Sequence, residues 1–106
     1  MHYEVQTEGF RIFNNNCGKY VVAFVKNNNL SFYNKFKLLI KNYIFNYFKI
    51  KVKNHDIEDF IYEFVFSSLL NSYVYWYDHP NIINIETFVK LTNNMIFASI
   101  KPILEN

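Results

Sequence analysis

Apolar residues recur every three or four positions along most of this chain, and short polar runs separate the stretches that share this spacing. The clearest stretch is 31–52, where aromatic and aliphatic residues lie on one side of a helix and lysine and asparagine on the other. Four further stretches fit the same rule, at 2–13, 17–26, 56–77 and 85–104. The pattern therefore predicts five helices.

Residues that interrupt or cap helices mark the predicted boundaries. The asparagine runs 14–16 and 27–29 predict turns on either side of the short second helix. Asn54 and Asn84 stand just before apolar stretches, where an asparagine side chain accepts a hydrogen bond from a free backbone N–H, so each is predicted to cap a helix. Residues 78–80, Asp-His-Pro, predict the end of the fourth helix, because the residue before a proline avoids helical backbone.

Composition narrows the fold class. The chain has 106 residues, of which 51% are apolar and 19% charged, so residues 1–106 are expected to form one domain with its own core. Two glycines and two prolines are too few for an all-β fold, which needs turn residues about every 8–12 positions. Neither glycine opens a phosphate-binding loop. We expect an all-α fold, an antiparallel bundle of about five helices.

The fourth predicted helix is apolar on nearly every side after Glu63. A helix of this kind has to be covered on two opposite faces. The other helices of a small domain cover one face more easily than both. A second copy of the chain is therefore the favoured cover for the remaining face, and we expect a homodimer.

Charge and cysteine content give no strong preference for nucleic acid or membranes. The net charge is +2 with the histidines neutral, which is too small to indicate either partner. Cys17 is the single cysteine, so an internal disulfide is impossible and a cytoplasmic location is expected. The uncharged stretches are too short to span a bilayer, and no secretory signal is visible.

No arrangement of residues typical of catalysis or metal binding emerges from the sequence. Two acid–histidine pairs are present, His55 with Asp56 and Asp78 with His79. They lie at opposite ends of the fourth predicted helix, about 30 Å apart at the usual helical rise. The serines of that helix lie in its middle, without the sharp turn that exposes a nucleophile. We therefore expect no metal, no cofactor and no enzymatic activity.

Aromatic residues make up 21% of the chain, which is more ring and hydroxyl surface than a tight core of this size needs. Two interpretations stay open. The tyrosines and Ser68 line a cavity with apolar walls and a few orienting hydroxyls, as small-molecule sites do. Alternatively, the rings fill the core and the dimer interface.

Several stretches carry a resemblance to a known family. The stretch 64–77 runs from aromatic residues through two serines to a tryptophan just before a turn, and resembles the penultimate helix of TetR-type transcriptional regulators. The stretch 84–91 is similar to the acid-capped start of their final helix. The stretches 16–20 and 29–36 resemble the branch known as dihydroxyacetone-kinase regulators, with an asparagine before a short aromatic helix and a Ser-Phe start to a long one.

The resemblance implies the effector-binding and homodimerisation domain of a TetR-like regulator. In that family the final two helices of each subunit form a four-helix bundle across a twofold axis. The remaining helices enclose an inducer pocket, and its occupancy changes the spacing of two DNA-binding heads. The helix-turn-helix head is expected to be absent from this chain, so DNA is contacted only through that missing head. The alternative is a helical interaction module that binds another regulator without a small molecule.

Two groups of candidate residues follow from this interpretation. The candidate ligand pocket, among the second to fourth predicted helices, consists of Phe24, Phe36, Tyr43, Tyr47, Phe64 and Ser68. The candidate dimer interface, on the fourth and fifth predicted helices, consists of Leu69, Tyr73, Trp76, Tyr77, Phe88, Thr92 and Met95.

Overall fold

Residues 3–104, the part of the chain that the computed structural model describes, fold into five α-helices and contain no strand. The helices are α1 (Tyr3–Lys26), α2 (Leu30–Leu39), α3 (Lys41–Phe48), α4 (His55–Asp78) and α5 (Ile85–Leu104). The predicted all-α class is confirmed. The predicted helix start at residue 2 lies outside the described residues.

The first two predicted helices form one continuous helix, α1, so the turn predicted at 14–16 is wrong. Asparagine disfavours a helix by only about 0.7 kcal/mol relative to alanine. Apolar side chains before and after these asparagines, among them Phe13 and Val21, pack on the same core. In addition, Asn14 accepts a hydrogen bond of 2.7 Å from the Tyr73 hydroxyl, which holds that turn of the helix against α4. Tertiary packing therefore outweighs the local preference for a turn.

The long helix predicted at 31–52 is divided into α2 and α3 at Ile40, and it ends at Phe48. The Tyr62 hydroxyl of α4 donates a hydrogen bond to the carbonyl of Lys37. In an unbroken helix that carbonyl would accept from the N–H of Lys41. The side chain of α4 thus provides a partner for the carbonyl at the break. Lys49, with φ of 55°, then takes left-handed backbone and ends α3.

The predicted α4 and α5 agree with the structure to within about one residue at each end. The Asn54 side chain accepts from the backbone N–H groups of Asp56 (2.9 Å) and Ile57 (3.2 Å), and the Asn84 side chain accepts from that of Thr87 (2.8 Å). Both predicted N-caps are confirmed.

The core is built around α4, which has buried side chains along most of its length. Helix α1 lies against α2, α4 and α5, and α3 lies against α4. Val65 and Phe66 in the middle of α4, with Ile100 of α5, are the most completely buried side chains. Within the described residues, no helix combines the length and the apolar character that a membrane span requires.

Candidate functional site

A cavity of about 610 Å³, open to solvent on the side where Val5 and Tyr43 are exposed, has walls contributed by all five helices or their ends. Its lining is mostly aromatic and aliphatic. Three of the six candidate pocket residues line it, Phe36, Tyr43 and Tyr47. Its volume falls within the range of about 300–1,000 Å³ that is typical of small-molecule sites.

The other three candidate pocket residues lie elsewhere. Phe24 of α1 stacks on Phe32 of α2, with ring centroids 4.6 Å apart, outside the cavity. Phe64 is half exposed on the outer side of α4. The Ser68 hydroxyl donates to the carbonyl of Phe64 in its own helix, at 2.7 Å, and does not reach the cavity.

Residues of α1 and α5 that the sequence-based pocket did not include complete the walls. Phe10 and Phe13 come from α1, and Phe88, Val89 and Asn93 come from α5. The helical spacing of Phe10 and Phe13 indicated a packed face on α1. It did not indicate which helices that face meets.

Most polar groups of the cavity lining already have partners. The Tyr43 hydroxyl donates to the side-chain oxygen of Gln6 at 3.0 Å, near solvent. The Tyr73 hydroxyl donates to Asn14 at 2.7 Å. The Thr92 hydroxyl lies 2.9 and 3.1 Å from two carbonyls of its own helix. These groups therefore contribute little free hydrogen-bonding capacity to an occupant.

Asn93 is different. It is 6% exposed, on the buried side of α5, and its side chain lines the cavity. Among residues 3–104, no group forms a hydrogen bond with its amide, whose polar atoms remain accessible from the cavity. Every side chain of the cavity lining is uncharged at neutral pH.

The Tyr43 and Tyr73 hydroxyls of the cavity stay protonated. Burial raises the pKa of Tyr73 far above its ordinary value, and neighbouring Tyr77 and Cys17 add to the effect. Burial also raises the pKa of Tyr43. Both hydroxyls are neutral hydrogen-bonding groups at physiological pH and are unsuited to accept a proton as general bases.

An aromatic cluster closes the cavity at the end nearest Trp76. The Tyr73 ring packs against Phe10 (5.4 Å between centroids) and Phe13 (5.7 Å) of α1. Trp76 packs against Phe88 at 5.2 Å, and its indole N–H donates to the carbonyl of Ile83 at 3.0 Å. Aromatic side chains with satisfied polar ends give this wall a fixed shape.

Three candidate interface residues belong to this cluster and are covered by their own chain. Tyr73 is 5%, Phe88 7% and Trp76 9% exposed, because α1 lies over them. They offer little surface to a second subunit. The second face of α4, which the sequence argument gave to a partner, is in part covered by α1.

A shallow groove of about 400 Å³ runs along the outer surface between α4 and α5. Of the candidate interface residues, Thr92 and Met95 line it, together with the accessible edges of Trp76 and Phe88. Leu69 and Tyr77 are half-buried beside the core and do not line the groove. The groove also presents large apolar side chains that are exposed, namely Tyr75, Ile82, Leu91 and Met95.

The potential metal ligands of the fold lie apart from one another. Within residues 3–104, no three histidine, cysteine or acidic side chains converge as a metal site requires. His55 and His79 stand at opposite ends of α4. Cys17 is exposed on α1 as a free thiol.

Comparison with known proteins identifies the kind of domain. A family model of the TetR type, described as a transcriptional regulator C-terminal region, matches residues 3–98. No curated protein and no solved structure matches the chain at a significant level. The match does not distinguish branches of the family, so the resemblance to dihydroxyacetone-kinase regulators stays a prediction.

Proposed function

Because the chain belongs to the TetR-type family of transcriptional regulator C-terminal regions, we propose that it is the ligand-sensing and homodimerisation domain of such a regulator. The observation that carries the proposal is the largely apolar, partly open cavity of about 610 Å³ between the helices. In this proposal operator contact belongs to a DNA-binding head, and the domain itself has no catalytic role. The alternative of an interaction module without a small molecule is not favoured, since the cavity then has no use.

The sensing step follows from the position of the cavity. Helices α1, α4 and α5, which pack directly against one another, all contribute side chains to its walls. A ligand that fits only one spacing of these helices stabilises that spacing at the expense of others. The shift equals the difference between its affinities for the two arrangements, so a ligand indifferent to both changes nothing.

A thermal-shift screen of small neutral compounds tests ligand binding. At 100 times Kd, a ligand adds about 2.7 kcal/mol to the free energy of unfolding, which raises Tm by roughly 10 °C or more for a domain of this size. Gly9 lines the cavity, and a Cβ there would meet nothing within 4 Å. We expect Gly9→Leu to fill this space and abolish the shift, and Gly9→Ala, the control, to keep it.

Two outcomes count against ligand sensing. If no compound stabilises the wild-type protein, the sensing role is to be abandoned. If a compound stabilises Gly9→Leu as much as wild type, it binds outside the cavity.

Dimerisation is proposed to use the outer groove between α4 and α5. Met95 is 66% exposed and Leu91 45%, so both present apolar surface that a second copy would cover. We expect sedimentation at micromolar concentration to give twice the 12.9 kDa mass of one chain. Met95→Glu should give monomers, because a buried charge without a partner is costly.

The control for this experiment is Leu38→Glu, at an exposed leucine on α2 that does not line the groove. It should remain dimeric. A monomeric wild-type protein would exclude homodimerisation. Dissociation of both variants would mean that the groove is not the specific contact.

A further inference from the structure

Asn93 lies in the row of buried side chains on α5, and the other members of that row are apolar. The buried side chains of α5 are Phe88, Val89, Asn93, Ile96 and Ile100, which recur at helical spacing. A leucine at position 93 would continue this apolar row. An asparagine there places a primary amide, with two N–H donors and a carbonyl oxygen, on the cavity wall.

The amide of Asn93 forms no hydrogen bond with the described part of the protein. The side chain as a whole is more than nine-tenths buried, and it lines the cavity. In the described residues no fully buried side-chain N or O atom lacks a partner, so the amide atoms of Asn93 are accessible from the cavity. A molecule seated against this wall can therefore donate to the amide or accept from it.

The remaining lining decides what kind of molecule that is. The walls are formed largely by phenylalanine rings and aliphatic side chains, and no lining side chain carries a charge. A charged ligand would lose its hydration without gaining a counter-charge. The cavity volume of about 610 Å³ lies in the range of small-molecule sites. We therefore take a compound with one or two rings as the probe size.

We propose that the ligand is an electrically neutral, largely apolar ring compound whose single hydroxyl, carbonyl or amide group forms a hydrogen bond with Asn93. This inference rests on the proposed sensing function and specifies the ligand class. The polar group fixes the orientation of the ligand against α5, and the aromatic walls bury its ring. The same hydrogen bond uses an amide that has no partner within the described protein.

Three probes of one ring system separate these contributions: naphthalene, 2-naphthol and 2-naphthoate. Binding to wild type, Asn93→Leu and the control Asn46→Leu is measured by calorimetry. Asn46 is an exposed asparagine on α3 that does not line the cavity. We expect wild type and Asn46→Leu to bind 2-naphthol roughly five- to tenfold more tightly than naphthalene, and 2-naphthoate more weakly than either. In Asn93→Leu the preference for 2-naphthol should disappear while naphthalene still binds.

The melting temperature without ligand tests whether the Asn93 amide has a structural partner in the protein. Asn93→Leu should melt at the same temperature as wild type or higher, because the substitution removes no hydrogen bond within the described protein, extends the apolar row of α5 and retains similar volume. A clear fall in Tm, with Asn46→Leu unchanged, would mean that the amide has a structural partner, and would overturn the inference.

The binding results distinguish a wrong ligand class from a wrong sensing function. If the probes bind wild type but 2-naphthol has the same advantage in Asn93→Leu, or 2-naphthoate binds best, the ligand class is wrong and the sensing function stands. If none of the probes binds, both the inference and the use of the cavity for such ligands fail.

Discussion

The close contact between Gly18 of α1 and Tyr73 of α4 gives the sharpest test of the packing described above. A Cβ built on Gly18 would overlap the Tyr73 hydroxyl oxygen and come within 2.9 Å of the Asn14 side-chain oxygen. The tyrosine ring cannot move aside easily, because Phe10 and Phe13 pack against it. We therefore predict that Gly18→Ala destabilises the protein.

The expected size combines two opposing effects. Alanine favours a helix over glycine by about 1 kcal/mol. Against this, forcing a methyl group into a packed interior costs about 1–3 kcal/mol, and displacing the hydroxyl breaks the Tyr73–Asn14 hydrogen bond, which costs about 1–3 kcal/mol when a partner is left unsatisfied. The net loss is about 2 kcal/mol, equivalent to a fall in Tm of roughly 8–16 °C.

Gly9→Ala is the matched control, because Gly9 lies in the same helix and a Cβ there meets nothing within 4 Å. Only the helix preference applies, so this variant should be more stable than wild type by up to about 1 kcal/mol. Both variants are compared by urea unfolding at one fixed protein concentration, since the proposed dimerisation would make stability depend on concentration.

A double-mutant cycle shows whether overlap with the Tyr73 hydroxyl causes the loss of stability in Gly18→Ala. In the background of Tyr73→Phe the overlapping oxygen is gone, and the Asn14 side chain is free to rotate away. Gly18→Ala should then be neutral or stabilising, which corresponds to a coupling energy of about 2–3 kcal/mol. An equal cost of Gly18→Ala in both backgrounds would refute the reasoning, as would a wild-type stability for the single variant.

Three further predictions concern pH and the core. Burial, with smaller contributions from neighbouring charges, raises the pKa of the Tyr62 hydroxyl from 10.0 to about 12. The free energy of unfolding should therefore be unaffected below pH 10 and fall by about 2–3 kcal/mol between pH 10 and 12, a fall that Tyr62→Phe removes in alkaline unfolding curves. A backbone hydrogen bond and the Arg11 side chain lower the pKa of Glu86, so this carboxylate stabilises the fold above its unfolded pKa. That stabilisation is lost as pH falls through the folded pKa, and Glu86→Gln should flatten the acid limb of the stability profile. Phe66→Ala should cost about 3–5 kcal/mol in chemical unfolding because Phe66 is 1% exposed, whereas Phe60→Ala, at a ring that is 75% exposed, should cost less than about 1 kcal/mol.

The elements that could be predicted from the sequence are those whose signals are local. Asn54 and Asn84 accept hydrogen bonds from N–H groups two or three residues further on, and the ends of α4 and α5 were predicted to within about one residue. The errors arise where a distant residue decides. The break after α2 coincides with a hydrogen bond from Tyr62, 25 residues away, and α1 remains helical through its asparagines while Tyr73, 59 residues away, contacts Asn14.

The candidate site was predicted in part for the same reason. Periodicity indicates that a face is buried and does not identify the helix that covers it. Division of α1 into two short helices removed the element that covers Tyr73 and Trp76 in the structure, and a partner subunit was assigned to them instead. Phe36 and Tyr47, which come from aromatic-rich stretches of α2 and α3, line the cavity, and their part in ligand binding stays a prediction. The wall from α5, including Asn93, was not predicted.

The continuity of α1 has a mechanical consequence. Its 24 residues form an unbroken rod of about 36 Å, and its far end is tied to the end of α4 by Lys26 and Asp78, whose charged atoms lie 2.6 Å apart. Phe10, on the cavity wall, lies about 24 Å from that tether along the rod. If the Lys26–Asp78 pair acts as the pivot, a sideways push of 1 Å or so on Phe10 would swing the N-terminal end of α1 by about 1.4 Å, because displacement grows with distance along a stiff rod. A turn at 14–16 would have acted as a joint and absorbed that motion before it reached the N-terminal end.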